Sequence, residues 1–574
     1  MEQQAFFDLY TPEGERVSQQ PWQSYPRPQM RRNSFFNLNG PWDFEESPSP
    51  DLPEQFSKTI LVPFPPQSLL SGIHTDIPED HFLFYRKQFS RPSDSRNGRI
   101  LLHIGAADQI AAVWLNGTFL GEHIGGYEPF SFDVTTFLQE ENALIVRVLD
   151  QMSRHILPYG KQSAKRGGMW YTPVSGIWQT VWMEQVPEQY IRSLQIETGE
   201  NRAELTVDGD VPDGLVSVRT PEGTFQFPLV QKTARLELTA PRLWSPEDPY
   251  LYECTIQAGE DSIQTYFALR TLSREKINGI QRLCLNGKPY FFHGLLDQGY
   301  WSDGLFTPAD PICYENDILA MKSLGFNTLR KHIKVEPEQF YYDCDRLGMI
   351  VFQDMVNNGD YHFLRDTALP TIGFKKRNDH TLHRDPETRQ AFLHAMETTV
   401  QQLKNHPCIC YWTIFNEGWG QFESTATYRH LKELDNSRFI ASVSGWFKGG
   451  DSDVTTEHVY FKPFRPKPSD KPLVLSEFGG YAFMPEGHAF HPGKEYGYRH
   501  YKTREEFVTG LQTLYQSEII PAIGKGLCAA IYTQLSDVED ETNGLFSFDR
   551  KVLKLQPQEM LPIAAQLKES LENT

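Results

Sequence analysis

The sequence predicts a multidomain β plus α/β chain: a jelly-roll-like β-sandwich, an immunoglobulin-like β-sandwich and a C-terminal (β/α)8 TIM barrel. Three observations predict it. At 574 residues, the chain exceeds what a single core organises, because domains usually hold roughly 100–200 residues. As far as residue 272, short alternating apolar runs are separated by turn residues, without long helical patterns. From residue 273 the rhythm changes to apolar strand, turn and helix, repeated.

In residues 1–185, the runs at 99–104, 111–115 and 143–149 alternate as half-buried strands do. Asn116-Gly117 between two such runs reads as a hairpin turn, since both central positions of that turn need positive φ. Many short strands without long helices make a sandwich. Residues 186–272 carry strands at 203–207, 215–219, 234–238, 252–256 and 263–269, which fits an immunoglobulin-like unit. Residues 273–574 carry eight strands, at 290–295, 326–330, 349–352, 409–415, 439–443, 454–459, 473–477 and 526–534. Helices are expected at 310–324, 337–347 and 386–404. An open doubly wound sheet is the alternative, but no GxGxxG stands between a strand and a helix.

Composition excludes several partners. The net charge of −19 repels a phosphate backbone, so nucleic acid is not expected. The longest apolar stretches, such as 472–476 and 526–532, fall far short of the roughly 20 residues that cross a bilayer. The N-terminus shows no basic region followed by an apolar run, so no signal peptide is read. Seven cysteines without a CxxC pair argue for free thiols and a cytoplasmic location. Aromatic residues make up 13% of the chain, a large supply of flat side chains for cores or for stacking on a ligand.

In a barrel of this type, chemistry sits at the C-terminal ends of the strands. Strand four runs into Asn416-Glu417-Gly418-Trp419-Gly420, and strand seven into Glu477-Phe478-Gly479-Gly480. Each places a carboxylate where the apolar strand gives way to the mouth. Two carboxylates across a mouth are the equipment for glycoside hydrolysis, one as acid/base and the other as nucleophile or base. The competing reading pairs each glutamate with a strand-end Arg or Lys.

Asn416-Glu417 after strand four and Glu477 after strand seven resemble glycoside hydrolase family 2, which includes β-galactosidases, β-glucuronidases and β-mannosidases. The resemblance extends through Leu38-Asn39-Gly40-Pro41-Trp42, Val113-Trp114-Leu115-Asn116-Gly117 and Gly121-Glu122-His123-Ile124-Gly125-Gly126-Tyr127-Glu128-Pro129-Phe130. Ser175-Gly176-Ile177-Trp178 and Leu285-Asn286-Gly287-Lys288-Pro289 also fit. It implies that Glu417 is the acid/base, Glu477 the nucleophile and Asn416 the ligand of the sugar 2-hydroxyl. Tyr460 is similar to the family's tyrosine beside the nucleophile, and Tyr532 to the aromatic floor of the sugar subsite. Arg330 is expected to orient the nucleophile through a forked pair of hydrogen bonds. His332 is read as a hydroxyl ligand or a packed histidine. Asp297 and Asp354 are sugar ligands or structural ion pairs, and Trp446 a stacking platform or a core residue. Where several relatives place an acidic sugar ligand, this chain has Trp170, which also joins the candidate pocket.

Retaining hydrolysis needs no cofactor, and no metal-ligand spacing stands out. The acidic run 537–541 reads as a solvated loop rather than a cation site. The partner expected is a carbohydrate substrate, and the chain is expected to be a homo-oligomer, dimer or tetramer. Glucuronidases of the family carry Asn-x-Lys after strand eight, whereas Asn543 is followed by Gly544 and Leu545. Mannosidases tend to carry Trp-Gly-Gly after the strand-two arginine, where this chain has Lys331-His332-Ile333. Elimination leaves a terminal, neutral β-galactoside-type sugar, with β-glucuronidase, α-L-arabinopyranosidase and β-galactofuranosidase specificities as alternatives. A non-catalytic carbohydrate-binding protein would keep the fold but lose a carboxylate. A transglycosidase would keep both.

Overall fold

Asn116 and Gly117 adopt φ of 52° and 79° and join the antiparallel strands Ile110–Leu115 and Thr118–Ile124. They belong to a six-stranded sheet, which faces a four-stranded sheet across one shared core. Strand Glu141–Leu149 buries every second residue against that core, the period-two signature of a half-exposed sheet. The computed structural model describes residues 8–92, 98–371, 373–374, 378–447 and 450–574.

The second sandwich packs a three-stranded sheet on a four-stranded one around its own core. Two of its strands are absent from the sequence expectation, and both have a faint pattern. Ile191–Thr198 slips register between Ile191 and Ser193, so its alternation is broken. Gly223–Leu229 is a largely exposed edge strand carrying Pro228, a residue tolerated only where no ladder donor is needed.

The third unit is the barrel. Its parallel strands are Phe292–Asp297, Thr328–Lys331, Ile350–Asp354, Ile409–Asn416, Phe439–Ser444, Thr455–Val459, Leu473–Gly479 and Leu527–Thr533. They are hydrogen-bonded in the order five-four-three-two-one-eight-seven-six. Strands five and six close the ring, with Thr456 donating to the Val443 carbonyl at 2.9 Å. Most of these strands are buried on both faces, as expected when helices cover a parallel sheet. Helices Ile312–Ser323, Glu338–Leu347 and Pro386–Leu403 stand where the sequence places them. Pro386 opens the third, and the Asp385 carboxylate caps it by accepting the Thr388 N–H at 2.9 Å. Inside the barrel Phe292 meets Phe352 and Phe439, and Phe352 stacks on Tyr411 at 4.3 Å. The polar mouth therefore stands on a dry aromatic floor.

The two sandwiches grip opposite ends of the barrel. Arg270 of the second donates to the carbonyls of Pro407 and Ile409, each at 2.6 Å, where strand four begins. The first reaches the other end: Tyr159 N–H meets the Asn357 carbonyl at 3.1 Å, and Thr172 N–H meets Glu539 at 2.7 Å. No helix among the described residues is long and apolar enough to cross a membrane, and all seven cysteines are buried and unbridged.

Arg32 binds the two sandwiches to each other. Its guanidinium forks onto Asp261 at 2.8 and 2.9 Å and reaches Glu184 at 3.2 Å, all three side chains being buried. Arg32→Met strips Asp261 of its buried counter-charge. We expect a loss of about 3–5 kcal/mol, read as a lowered midpoint in thermal or urea unfolding. An unchanged midpoint contradicts the clamp.

Candidate active site

Strand four delivers its carboxylate through a left-handed turn. Glu417 has φ of 50° and Gly418 of 74°, and the Asn416 carbonyl accepts the Trp419 N–H at 2.8 Å. A non-glycine residue held there stores about 1–3 kcal/mol of strain, a pattern that collects at functional sites. Glu417 Oε1 lies 2.9 Å from His458 Nδ1. The other ring nitrogen of His458 stands 3.5 Å from Glu477 Oε1, so one imidazole bridges the two glutamates. His458 fits because residue 445 is glycine: a Cβ there meets the ring at 2.6 Å.

Carboxylate oxygens of Glu417 and Glu477 lie within 4.8 Å of each other. A retaining pair has carboxyl groups about 5–5.5 Å apart, closer than an inverting pair, and this spacing is on the retaining side. Their surroundings push them in opposite directions. Burial raises the Glu417 carboxyl, the His458 hydrogen bond opposes this, and the Glu477 charge adds to the rise; the net direction is up. Burial raises Glu477 too, but His458, Arg330 and His332 together with the Tyr460 hydrogen bond outweigh it and hold it well below the usual carboxylate range. One carboxyl is set up to carry a proton and its neighbour to carry charge.

Arg330, at the end of strand two, is the hub. It donates to Glu477 Oε1 at 2.8 Å, to the Ser476 carbonyl at 3.0 Å and to Asn416 Oδ1 at 2.9 Å. Its forked pair goes to Asp354, through Nε at 3.0 Å and Nη2 at 2.9 Å. The sequence placed that fork on the nucleophile. The structure moves it to Asp354, whose other partner is His332 Nδ1 at 2.8 Å. Asp354 is thus spent on positioning two neighbours. Burial pushes His332 down to about 4. An ionised Asp354 only accepts, so the neutral ring carries its proton on Nδ1 and presents Nε2 as an acceptor. Asn416 Oδ1 also accepts from Ser444 at 2.8 Å. With its oxygen doubly engaged, Asn416 has its amide nitrogen left as the donor it can offer a ligand.

Tyr460 donates to Glu477 Oε2 at 2.5 Å and stacks on Tyr498 at 3.8 Å. Trp446 packs edge-on to His458. Trp170 crosses from the first sandwich and stacks on Trp419 at 5.4 Å, with Tyr361 against both.

Three expectations are corrected. Tyr532 lies on the outer face of strand eight, where its ring meets Phe478 and its hydroxyl accepts the Tyr481 N–H at 3.2 Å. The inward residue is Thr533, bonded to Tyr460 at 3.0 Å. Asp297 likewise faces outward and pairs with Lys331 at 2.6 Å, which makes it structural. The acidic run 537–541 is not solvated: Asp537 pairs with Lys554 at 2.7 Å, Glu539 accepts from Thr172, and Glu541 accepts from Gln534 at 2.7 Å. Neither Lys161 nor His458 carries a signal in the sequence that assigns it a role. A separate cleft of about 920 Å³, lined in part by Tyr25, Arg32 and Tyr342, shares none of these residues.

Comparison with known proteins matches three family models in order. They are the sugar binding domain of glycosyl hydrolases family 2 over residues 71–187, a model described simply as glycosyl hydrolases family 2 over 190–270, and the family's TIM barrel domain over 276–489. A β-galactosidase of Thermoanaerobacter pseudethanolicus is 24% identical over 447 residues, covering 71% of this chain and 56% of that protein. A β-glucuronidase of Felis catus is 24% identical over 477 residues, covering 73% and 70%. Among solved structures, a β-D-glucuronidase from Dictyoglomus thermophilum superposes with a TM-score of 0.71 at 19% identity, over 96% and 99% of the two chains. A β-galacturonidase from Eisenbergiella tayi gives 0.68 at 18%, over 95% and 99%. These structures share the fold.

The opposed shifts of the two carboxyls set a pH dependence. Glu477, depressed, is charged until the solution is strongly acidic. Glu417, raised, keeps its proton into higher pH than a free carboxyl does. We expect kcat/KM to follow a bell whose falling limb, from Glu417, lies above the ordinary glutamate range. Tyr460→Phe removes a hydrogen bond to Glu477 and moves the rising limb up. A falling limb at or below the ordinary glutamate value contradicts the assignment.

Proposed function

Because the chain belongs to glycosyl hydrolase family 2, we propose that it is a retaining exo-glycoside hydrolase acting on terminal β-linked sugars. The observation that carries this reading is the Glu417–Glu477 pair, within 4.8 Å and oppositely tuned. Glu477 attacks the anomeric carbon while the glycosidic C–O bond breaks and the Glu417 proton passes to the departing oxygen. The product of that step is a glycosyl ester on Glu477. Water, giving its proton to Glu417, then attacks the same carbon and frees Glu477. The Asn416 amide donates to the 2-hydroxyl, a contact that strengthens as charge builds on the ring. Arg330 and Tyr460 hold the nucleophile charged and aligned.

The expectation of a neutral β-galactoside-type sugar rests on the missing lysine after Asn543. Leu545 does stand there, buried. The charge of Lys161, carried by the first sandwich, acts on Glu417, however, so elimination no longer decides the glycone. A carbohydrate-binding role without catalysis does not account for two intact, oppositely tuned carboxyls. Transglycosylation uses the same first step and differs only in the acceptor.

Glu477→Gln is expected to abolish turnover of nitrophenyl β-glycosides while leaving the unfolding midpoint near that of the parent. Near-parental activity ends the proposal. Glu417→Ala is expected to cost roughly 10²–10⁴-fold on poor leaving groups and much less on nitrophenol, which departs without a proton. Equal losses on both contradict the acid role.

A further inference from the structure

Four lysines of the described chain are buried: Lys161, Lys331, Lys334 and Lys554. Three of them are saturated. Lys331 pairs with Asp297 and Glu336, Lys334 with Glu336 and two carbonyls, and Lys554 with Asp537 and a carbonyl. Lys161 is 9% exposed, yet among the described residues its ammonium has no hydrogen-bond or ion-pair partner. Its one neighbour of note is the Tyr171 ring, 5.5 Å from ammonium to centroid.

The backbone beneath it is fixed. Tyr171 N–H donates to the Lys161 carbonyl at 3.0 Å. The Gln162 side chain donates to Asp108 at 3.0 Å and accepts the Val174 N–H at 2.6 Å. Gly160, at φ 67°, lies so near the barrel that a Cβ there stands 3.0 Å from the Ile333 carbonyl. This strap carries Lys161 from the sandwich to the end of strand two, beside His332. The Lys161 charge acts at once on His332, Glu417 and Glu541, which belong to the ends of strands two, four and eight. With the strap held against the Ile333 and Asn357 backbone, just past strands two and three, Lys161 lies on the mouth side of the barrel. On the strand-eight side Asn543 is buried, and its amide oxygen accepts the Gln534 amide that also serves Glu541.

Resting on the glycosidase reading above, we propose that Lys161 is a specificity residue whose ammonium takes the carboxylate of a uronic acid glycone. A cation at the mouth that no protein group pairs is matched best by a ligand that brings a negative charge. Arg330 is not available for that task, since Asp354, Glu477 and Asn416 occupy it. There is also a catalytic reason. An unpaired ammonium near Glu417 favours its charged form, which works against a proton donor. A substrate carboxylate on Lys161 cancels that field when the acid is needed.

The test pairs nitrophenyl glycosides that differ only at C6: β-glucuronide against β-glucoside, and β-galacturonide against β-galactoside. The parent is expected to prefer the uronide in at least one pair. Lys161→Met is expected to lower kcat/KM on that uronide on the order of 100-fold while leaving its neutral partner within a few-fold. Lys161→Arg, which keeps the charge, retains most of the uronide activity. A parent that prefers the neutral sugar in both pairs overturns the proposal, and so does a Lys161→Met loss equal on both members. If no glycoside is hydrolysed, the glycosidase reading fails, and calorimetry still decides the role of Lys161. Glucuronic or galacturonic acid binding the parent but not Lys161→Met upholds it; no binding of either acid to the parent overturns it.

Discussion

One buried guanidinium holds the site together. Arg330 rises from strand two and ties down the ends of strands three, four, five and seven through Asp354, Asn416, Ser444 and Glu477. Each of those groups would be costly to bury alone. Together they form a network in which almost every donor and acceptor is engaged, and such networks fix geometry more firmly than isolated pairs. Glu477 is held charged by it, the Asn416 amide is turned by it, and His332 is oriented through the shared Asp354. The aromatic floor of Phe292, Phe352, Tyr411 and Phe439 keeps water away from its underside.

The barrel does not complete its own mouth. The strap around residues 159–174 leaves the first sandwich and returns to it, and on the way it brings Lys161 and Trp170 against barrel residues. Its anchors include Thr172 on Glu539 and Tyr159 on Asn357. The buried acidic run after strand eight is thus part of a domain contact as well as a wall of the site. Backbone anchors of this kind hold a loop from a separate domain in place beside the strand ends.

Much of this was legible in the sequence, and the misses share physical causes. The two glutamates and Asn416 could be found because an apolar strand that ends in a carboxylate marks the mouth of a barrel. Which neighbour faces inward could not. Strands buried on both faces lose the alternation that reveals side-chain direction, so Tyr532 was read in place of Thr533, and the outward Asp297 as a candidate ligand. The run 537–541 looks solvated by charge alone; Lys554, Thr172 and Gln534 make it a buried cluster, and Thr172 lies far away in the chain. Lys161 sits in a loop without periodicity, and its meaning arises only from the partner it lacks.

The central claim is that the two glutamates act by double displacement at one anomeric carbon. The stereochemistry of the first-formed sugar tests it most directly. Proton NMR during hydrolysis of an accepted aryl β-glycoside, recorded before mutarotation, should show the β-anomer appearing first and the α-anomer growing in later. An α-anomer as the first product would contradict the account.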